Sequence, residues 1–233
     1  MSIPSPTLTL GIPSKGRLME ATAGLFAKAG FAIERVGSDR GYRGRLTGVD
    51  GIDVAFLSAS EIAGQLRDGR ISLGVTGEDL LREKIPPTDE SVGRALRLGF
   101  GPANVVVAVP ECWLDVAAMA DLDEVAEQFY RAHGRPLRVA TKYVHLTRRW
   151  FAAHGVTGYR IVDSSGATEG APAAGLAELI VDITTTGSTL AANHLRILDD
   201  GLILQSCAVL AVRSGHSADT RLKSVVSALS KAL

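Results

Sequence analysis

The chain has 233 residues, and its 25 lysines plus arginines balance its 25 aspartates plus glutamates, so the formal net charge is zero. Neutrality excludes an overall electrostatic attraction to nucleic acid or to an anionic membrane. Hydrophobic residues make up 46% of the chain and aromatic residues only 5%, so a core must come from Val, Ile, Leu and Ala, as in sheets covered by helices.

The two cysteines, Cys112 and Cys207, lie far apart and lack the spacing of metal ligands. We expect them to be reduced thiols in a cytoplasmic protein. Residues 1–11 lack the basic start and apolar core of a secretory signal. No apolar run approaches the roughly 18 residues that a membrane helix needs.

The first half of the chain alternates short apolar runs with amphipathic segments. This order favours an α/β architecture with parallel strands. Residues 84–90, KIPPTDE, are rich in proline and charge and predict a surface loop near a lobe boundary. The predicted strands are 7–12, 52–57 and 72–76, and the predicted helices are 16–29, 59–66 and 78–82.

A second β/α series follows. The predicted strands are 104–109, 137–140, 159–162, 179–182 and 202–212, and the predicted helices are 121–133, 146–154 and 219–233. Two series predict two lobes with a cleft between them. Lobe I would comprise residues 1–95 plus about 190–233, and lobe II would comprise about 96–189.

The most informative motif is LIVDITTTGSTLAANHL at residues 179–195. It reads as a buried strand that leads into a hydroxyl-rich turn and a short helix. Hydroxyl groups, a glycine and backbone N–H groups can together bind phosphate. A Thr/Ser cluster that only caps the helix would give the same pattern.

Lys15, Gly16 and Arg17 lie between the first predicted strand and helix. Two cations beside a tight glycine turn suit a polyphosphate, although a solvated turn has the same composition. Gly77 and Asp79 occupy a similar junction, where Asp79 could bind a ribose hydroxyl or cap a helix.

Lys142 and Glu169 are further candidates in the second series. Lys142 could face the cleft, and Glu169 could hold sugar hydroxyls or act only as a helix N-terminal acid. The five histidines do not cluster at ligand spacing. The chain contains no G-x-S-x-G elbow, P-loop or convincing dinucleotide fingerprint.

Together, these motifs resemble the ATP phosphoribosyltransferase family, the first enzyme of histidine biosynthesis. The resemblance covers almost the whole chain and keeps the family's order. The matching motifs are KGRL at 15–18, DG at 68–69 with LGVTG at 73–77, ATKY at 140–143 with LTRR at 146–149, and VD through TGSTL at 181–190.

The resemblance implies a two-lobed α/β fold like that of the type II periplasmic binding proteins, with mostly parallel sheets flanked by helices. It implies that ATP and phosphoribosyl pyrophosphate react to give N1-phosphoribosyl-ATP and pyrophosphate. Mg²⁺ would be carried by the substrate phosphates rather than by protein side chains alone, and no general base is evident.

The resemblance also implies two sets of binding residues. The phosphoribosyl pyrophosphate set is Glu169, Asp182, Thr184, Thr185, Thr186, Gly187, Ser188 and Thr189. The ATP and polyphosphate set is Lys15, Gly16, Arg17, Gly77, Asp79 and Lys142.

The chain departs from the family pattern on the ATP side. Ser72 stands where the family usually has Asp, and residues 60–62 (SEI) stand where an R-D-I-P-like segment often lies. A frequent arginine is therefore absent, and Arg40 or Arg43 is a candidate replacement. Residues 104–107 (NVVV) replace a more familiar C-x-L strand.

The length resembles the short form of the family, which lacks a C-terminal regulatory domain. That form implies a catalytic homodimer within a hetero-oligomer that contains a regulatory subunit resembling histidyl-tRNA synthetase. These partners, like the cytoplasmic location, are expectations.

Two other functions fit parts of the sequence. A non-catalytic binding protein for a small phosphate or nucleotide could share the two-lobed fold. A nucleobase phosphoribosyltransferase of the commoner type generally carries two adjacent acids before its Thr/Gly loop, whereas only Asp182 precedes Ile183 here.

Overall fold

The structure, a computed structural model, describes residues 7–37 and 41–233. The strands of these residues are β1 Leu8–Pro13, β2 Ala32–Arg35, β3 Arg43–Thr47, β4 Ile52–Leu57, β5 Leu73–Gly77, β6 Val92–Arg97, β7 Ala103–Pro110, β8 Leu137–Thr141, β9 Tyr159–Asp163, β10 Leu179–Thr184, β11 Leu195–Ser206 and β12 Ala208–Arg213. The helices are α1 Gly16–Lys28, α2 Ala59–Arg67, α3 Glu78–Lys84, α4 Met119–His133, α5 Val144–Ala153, α6 Ser188–Ala192 and α7 Thr220–Ala232. Single 3₁₀ turns lie at Thr168–Gly170 and Ser214–His216.

The predicted strand at 202–212 is wrong. β11 ends at Ser206, and β12 begins at Ala208 in a different sheet. Gln205 and Ser206 interrupt the apolar residues directly before Cys207, so this polar pair marks the break that the single predicted strand passes over. The sequence pattern does not predict β2, β3 and β6. β2 and β6 contain no buried residue, and β3 is a five-residue strand in which only Gly44 and Leu46 are buried.

The chain divides into two compact units. Unit 1 comprises Met1–Pro102 and Cys207–Leu233, and unit 2 comprises Ala103–Ser206. These boundaries differ from the predicted lobes, which placed residues 96–102 in lobe II and about 190–206 in lobe I. The difference arises because β11 pairs with β7, and Ser206 lies opposite Ala103 where the chain enters and leaves unit 2.

The unit 1 sheet has the order β2-β3-β4-β1-β5-β12-β6. Helices cover both faces, since Leu210 of β12 packs in the cluster with α1 and α7, whereas Val209 and Ala211 pack with α2 and α3. Gly74 on β5 permits the close approach of α2, because a Cβ there would lie 2.5 Å from Ile62 Cγ2.

The unit 2 sheet has the order β11-β7-β10-β8-β9. Its middle strand β10 pairs antiparallel with β7 and parallel with β8. β7 is buried from Val105 to Val109, which explains its continuous apolar sequence.

The α/β class is confirmed, but the expectation of mostly parallel sheets needs correction. Parallel pairing is confined to β4-β1-β5 in unit 1 and to β10-β8-β9 in unit 2. The other pairs are antiparallel. Parallel neighbours need a crossover connection, whereas β2, β3 and β4 follow one another directly as an antiparallel meander.

A partly buried ion-pair cluster around Glu178 fixes the start of β10 against β8. The backbone N–H of Arg138 donates to Glu178 Oε2 at 2.6 Å, and Glu178 N–H donates to the Arg138 carbonyl at 2.9 Å. The guanidinium groups of Arg138 and Arg135 lie 2.7 and 3.0 Å from Glu178 Oε1. Burial alone would raise the pKa of Glu178, but these hydrogen bonds lower it to about 2.

We expect Glu178→Gln to reduce the unfolding free energy of unit 2 by about 1–2 kcal/mol at neutral pH, after allowance for solvent screening. The folded pKa lies below the ordinary value of 4.5, so this stabilisation is full above that value and is lost as the pH falls toward about 2. The difference from wild type should therefore shrink below about pH 4.5.

Urea unfolding followed by tryptophan fluorescence measures this effect, because both tryptophans, Trp113 and Trp150, lie in unit 2. Glu127→Gln is the matched control, since Glu127 pairs with Arg131 on the exposed face of α4. Equal effects of the two substitutions, or a Glu178→Gln difference that does not change with pH, would contradict this prediction.

Candidate functional site

Three parallel strands of unit 2 end at one edge of its sheet. β8 pairs parallel with both β10 and β9, so the carboxyl ends of these strands meet there. Lys142 follows β8, Glu169 lies in the segment after β9, and residues 184–189 complete β10 and its following turn. The edge therefore gathers the polar segments that the sequence singled out.

The turn after β10 is shaped by its own hydroxyl groups. Gly187 N–H donates to Thr184 Oγ1 at 2.8 Å, and the hydroxyls of Thr186 and Ser188 lie 2.9 Å apart. Gly187 has a φ of +78°, which favours glycine. The exposed residues of the turn are Thr185, Thr186, Ser188 and Thr189. They present several hydroxyl groups that can bind anionic oxygens.

Asp182 is the partly buried acid of this edge. Its Oδ1 accepts from Ile183 N–H at 2.8 Å and lies 3.9 Å from Lys142 Nζ. Burial raises the pKa of Asp182, and Glu169 adds to this effect, whereas Ile183 N–H and Lys142 oppose it. Two carboxylates and one ammonium group thus interact at the same edge.

The backbone before Glu169 is locally constrained. Ala167 has a φ of +49°, an uncommon conformation for a residue with a side chain. Thr168 is buried, and its hydroxyl lies 3.0 Å from that of Ser164. These contacts hold the 3₁₀ turn that carries Glu169.

In unit 1, β4, β1 and β5 also end at one edge. Ser14 N–H donates to the Leu57 carbonyl at 2.8 Å, and Arg35 Nη2 donates to the Ser14 carbonyl at 3.0 Å. The next residues, Lys15 to Arg17, are exposed, and Gly16 has a φ of +76°. The two cations therefore lie at the start of α1, directly after the anchored residue Ser14.

The end of β5 lies beside the start of α2. Thr76 Oγ1 donates to the Ala59 carbonyl at 2.7 Å. Asp79 is buried, and its carboxylate occupies the space that a Cβ of Gly77 would need. Gly77 is thus required for this position of Asp79.

Residues 60–62, which lack the arginine expected from the family pattern, lie in the first turn of α2 and help to cap it. Glu61 forms a capping box with Ser58, and this hydrogen bond lowers the pKa of Glu61. Of the two candidate replacement arginines, Arg40 lies outside the described residues. Arg43 is exposed on β3, opposite Ala55 of β4.

An arginine cluster beside Gly77 was not predicted. Glu78 is only 2% exposed and forms ion pairs with Arg82, Arg94 and Arg97. The i,i+4 spacing of Glu78 and Arg82 is a readable sequence signal. No such sequence signal links Glu78 to Arg94 or Arg97, because both arginines lie on β6, a strand that the sequence pattern does not predict.

The structure thus divides the predicted residues between the units. Unit 1 contains Lys15, Gly16, Arg17, Gly77 and Asp79. Lys142, although predicted with that set, lies in unit 2 beside Asp182. The members of the sugar-phosphate set lie in unit 2 as well: Glu169, Asp182, Thr184, Thr185, Thr186, Gly187, Ser188 and Thr189.

Within residues 7–37 and 41–233, no group of three or more His, Cys, Asp or Glu side chains could hold a metal ion. In the same residues, every helix is too short or too polar to cross a membrane.

Comparison with known proteins gives concordant matches. The family model HisG, described as ATP phosphoribosyltransferase, matches residues 58–231. A relative named ATP phosphoribosyltransferase from Chelativorans sp. (strain BNC1) is 58% identical over 219 residues, which cover 93% of this chain and 95% of the relative.

Another protein with that name, from Bradyrhizobium diazoefficiens, is 60% identical over 206 residues, which cover 88% of this chain. It is a longer protein, and the match spans only 63% of its length. The solved structure of an ATP phosphoribosyl transferase (HisG:HisZ) complex from Thermotoga maritima matches with a TM-score of 0.71 at 28% identity, covering 97% of this chain and 98% of that chain.

We expect Gly187→Ala to destabilise unit 2 by about 1 kcal/mol, because alanine disfavours a positive φ. A Cβ at Gly187 would meet no atom within 4 Å, so the backbone conformation alone sets the cost. Gly166→Ala is the matched control, since Gly166 also has open space around it but no positive φ. Equal unfolding free energies of the two variants in urea would contradict the assigned geometry.

Proposed function

The chain belongs to the ATP phosphoribosyltransferase family, and we propose that the edge of unit 2 formed by β8, β9 and β10 binds the phosphoribosyl pyrophosphate of its reaction. The reaction converts ATP and phosphoribosyl pyrophosphate into N1-phosphoribosyl-ATP and pyrophosphate, the first step of histidine biosynthesis. The comparisons favour this function over a non-catalytic binding protein, because full-length relatives at 53–58% identity carry the transferase name.

The turn after β10 carries the proposal for the sugar-phosphate site. Its exposed hydroxyl groups suit the 5-phosphate, and its backbone is held by the Gly187–Thr184 hydrogen bond. Asp182 and Glu169 lie close enough to interact electrostatically, and carboxylates suit the ribose hydroxyls. The edge thus offers anion-binding and hydroxyl-binding groups side by side.

The same groups suit the chemistry at the sugar. Loss of pyrophosphate develops positive charge on the ribose ring, which the carboxylates of Asp182 and Glu169 stabilise. Lys142 balances these carboxylates and can approach an oxygen of the departing pyrophosphate. Alignment of adenine N1 with ribose C1 then supplies catalysis by proximity, without a general base.

We propose Mg²⁺ as the cofactor, carried mainly by the substrate phosphates. Mg²⁺ typically binds through one or two carboxylates together with phosphate oxygens. Asp182 and Glu169 provide such carboxylates at the proposed phosphate site, so the residues fit the ion. When bound, the ion would supply charge stabilisation for the leaving pyrophosphate.

For ATP, we propose the unit 1 edge at the ends of β1 and β5. Lys15 and Arg17 are exposed cations at the start of α1, which suits a triphosphate. Gly77 lets the buried carboxylate of Asp79 pack against the backbone at the end of β5, and we propose Asp79 as the acid on the ribose side of this edge.

The proposed partners are a second copy of the chain and a separate regulatory subunit that resembles histidyl-tRNA synthetase. The HisG:HisZ complex from Thermotoga maritima supports a partner subunit. A cytoplasmic location is proposed because both substrates are cytoplasmic metabolites.

Mixing the protein with ATP, phosphoribosyl pyrophosphate, Mg²⁺ and pyrophosphatase tests the reaction. We expect near-ultraviolet absorbance to rise as the adenine ring is alkylated at N1, and omission of either substrate should abolish the rise. Absence of product, both alone and with the regulatory subunit from the same organism, would overturn the proposed function.

Thr186→Val with Thr189→Val tests the turn after β10. Valine keeps the shape of threonine but removes the hydroxyl, so we expect the affinity for phosphoribosyl pyrophosphate to fall by about 2 kcal/mol, roughly thirtyfold. Calorimetry measures it, with Thr157→Val as the control because Thr157 is an exposed threonine outside the turn. Unchanged affinity in a folded double variant would refute the assignment.

A further inference from the structure

Glu78 is a buried acid that gathers three arginines at the start of α3. Its Oε1 accepts from Arg82 Nε at 3.0 Å and Nη2 at 2.8 Å, and also from Arg94 Nη1. Its Oε2 lies 3.5 Å from Arg97 Nη2 and has no hydrogen bond although it is buried. A buried carboxylate of this kind holds the attached guanidinium groups in defined positions.

Strand register places Arg97 near the same edge as Gly77. Ala208 of β12 lies opposite Gly77, and Val209 lies opposite both Thr76 of β5 and Arg97 of β6. Arg97 is therefore level with the carboxyl end of β5, two strands away. Arg94 lies further from this edge, because it pairs with Ala211.

Cys207 holds Arg97 from a second side. Arg97 Nε donates to Cys207 Sγ at 3.2 Å, and the Cys207 carbonyl accepts from Glu78 N–H at 3.0 Å. The guanidinium is thus positioned by both the side chain of Glu78 and the thiol. Its side chain is nevertheless 51% exposed, so a ligand can reach it.

The charge distribution of the cluster favours an anion on its outer side. The acids Glu78, Asp79 and Glu83 are all buried. By contrast, the side chains of Arg82, Arg94 and Arg97 are 53%, 41% and 51% exposed. The outer face is consequently formed by guanidinium groups even though acids and arginines are balanced in number.

The adjoining start of α2 contributes no cation to this edge. Residues 60–62 supply no arginine, and Glu61 instead caps the helix. The Thr76–Ala59 hydrogen bond holds this segment beside the end of β5. A triphosphate bound along the edge would therefore receive its positive charge from other elements, namely Lys15 and Arg17 after β1 and the arginines around Glu78.

We propose that Arg97, positioned by Glu78 and Cys207, binds the triphosphate of ATP and supplies the charge absent from residues 60–62. The inference rests on the proposed ATP site at the unit 1 edge. Arg97 is the binding residue, and Glu78 is a positioning residue that acts through it. Arg82 and Arg94 share the same carboxylate and complete the cationic face.

Arg97→Gln tests the proposal, because the half-exposed side chain can be replaced without burying a new group. We expect the KM for ATP and the dissociation constant for ATP to rise at least about tenfold. The KM for phosphoribosyl pyrophosphate should stay within twofold of wild type. Arg97→Lys, which keeps the charge, should recover part of the loss.

A series of nucleotides separates phosphate binding from a purely structural role. The loss caused by Arg97→Gln should be largest for ATP, smaller for ADP and smallest for AMP, because successive phosphates are removed. Arg67→Gln is the control, since Arg67 is an exposed arginine of unit 1 that pairs with Asp68. It should leave all three affinities unchanged.

The outcomes distinguish this inference from the proposed function. Normal ATP binding by Arg97→Gln, or an equal loss for ATP and AMP, would overturn the role of Arg97 even if wild type forms product. A selective loss of ATP affinity would support the role by calorimetry alone, even if the wild-type protein yielded no N1-phosphoribosyl-ATP.

Discussion

Parallel pairing of a few strands in each unit determines where the candidate binding residues of this molecule lie. β4, β1 and β5 run together in unit 1, and β10, β8 and β9 run together in unit 2. Their carboxyl ends therefore meet at one edge of each sheet, and the loops that follow bring distant parts of the sequence together. The antiparallel strands extend the sheets and support these edges.

Each unit contains one carboxylate that positions other parts of the fold through several hydrogen bonds and ion pairs. Glu178 joins β8 to the start of β10 through side-chain and backbone hydrogen bonds, so the turn at the other end of β10 begins from a fixed strand. Glu78 instead lies at the start of α3, beside the candidate edge of unit 1, and arranges arginines from α3 and β6. In both cases the cost of burying a carboxylate is offset by several charge-assisted hydrogen bonds.

The sequence predicted the elements whose residues are buried on a regular pattern, and the turn at 184–189 was recognisable because its hydroxyl residues are consecutive. It could not predict β6, which is mostly exposed. Gln205 and Ser206 interrupt the apolar residues before Cys207, but both belong to β11, so the polar pair alone does not reveal that the next strand lies in another sheet. The proximity of Lys142 to Asp182 and of Glu78 to Arg97 depends on strand order. Such long-range pairings leave no local signal in a single sequence.

The pairing of Ala103 with Ser206 brings the first and last residues of unit 2 side by side. Because unit 2 begins and ends on neighbouring residues, it has the form of a continuous insertion into unit 1. An insertion of this kind can lengthen, shorten or exchange its own loops without altering the path of the host chain. The loops of unit 2 and the sheet of unit 1 could therefore diversify at different rates within one gene.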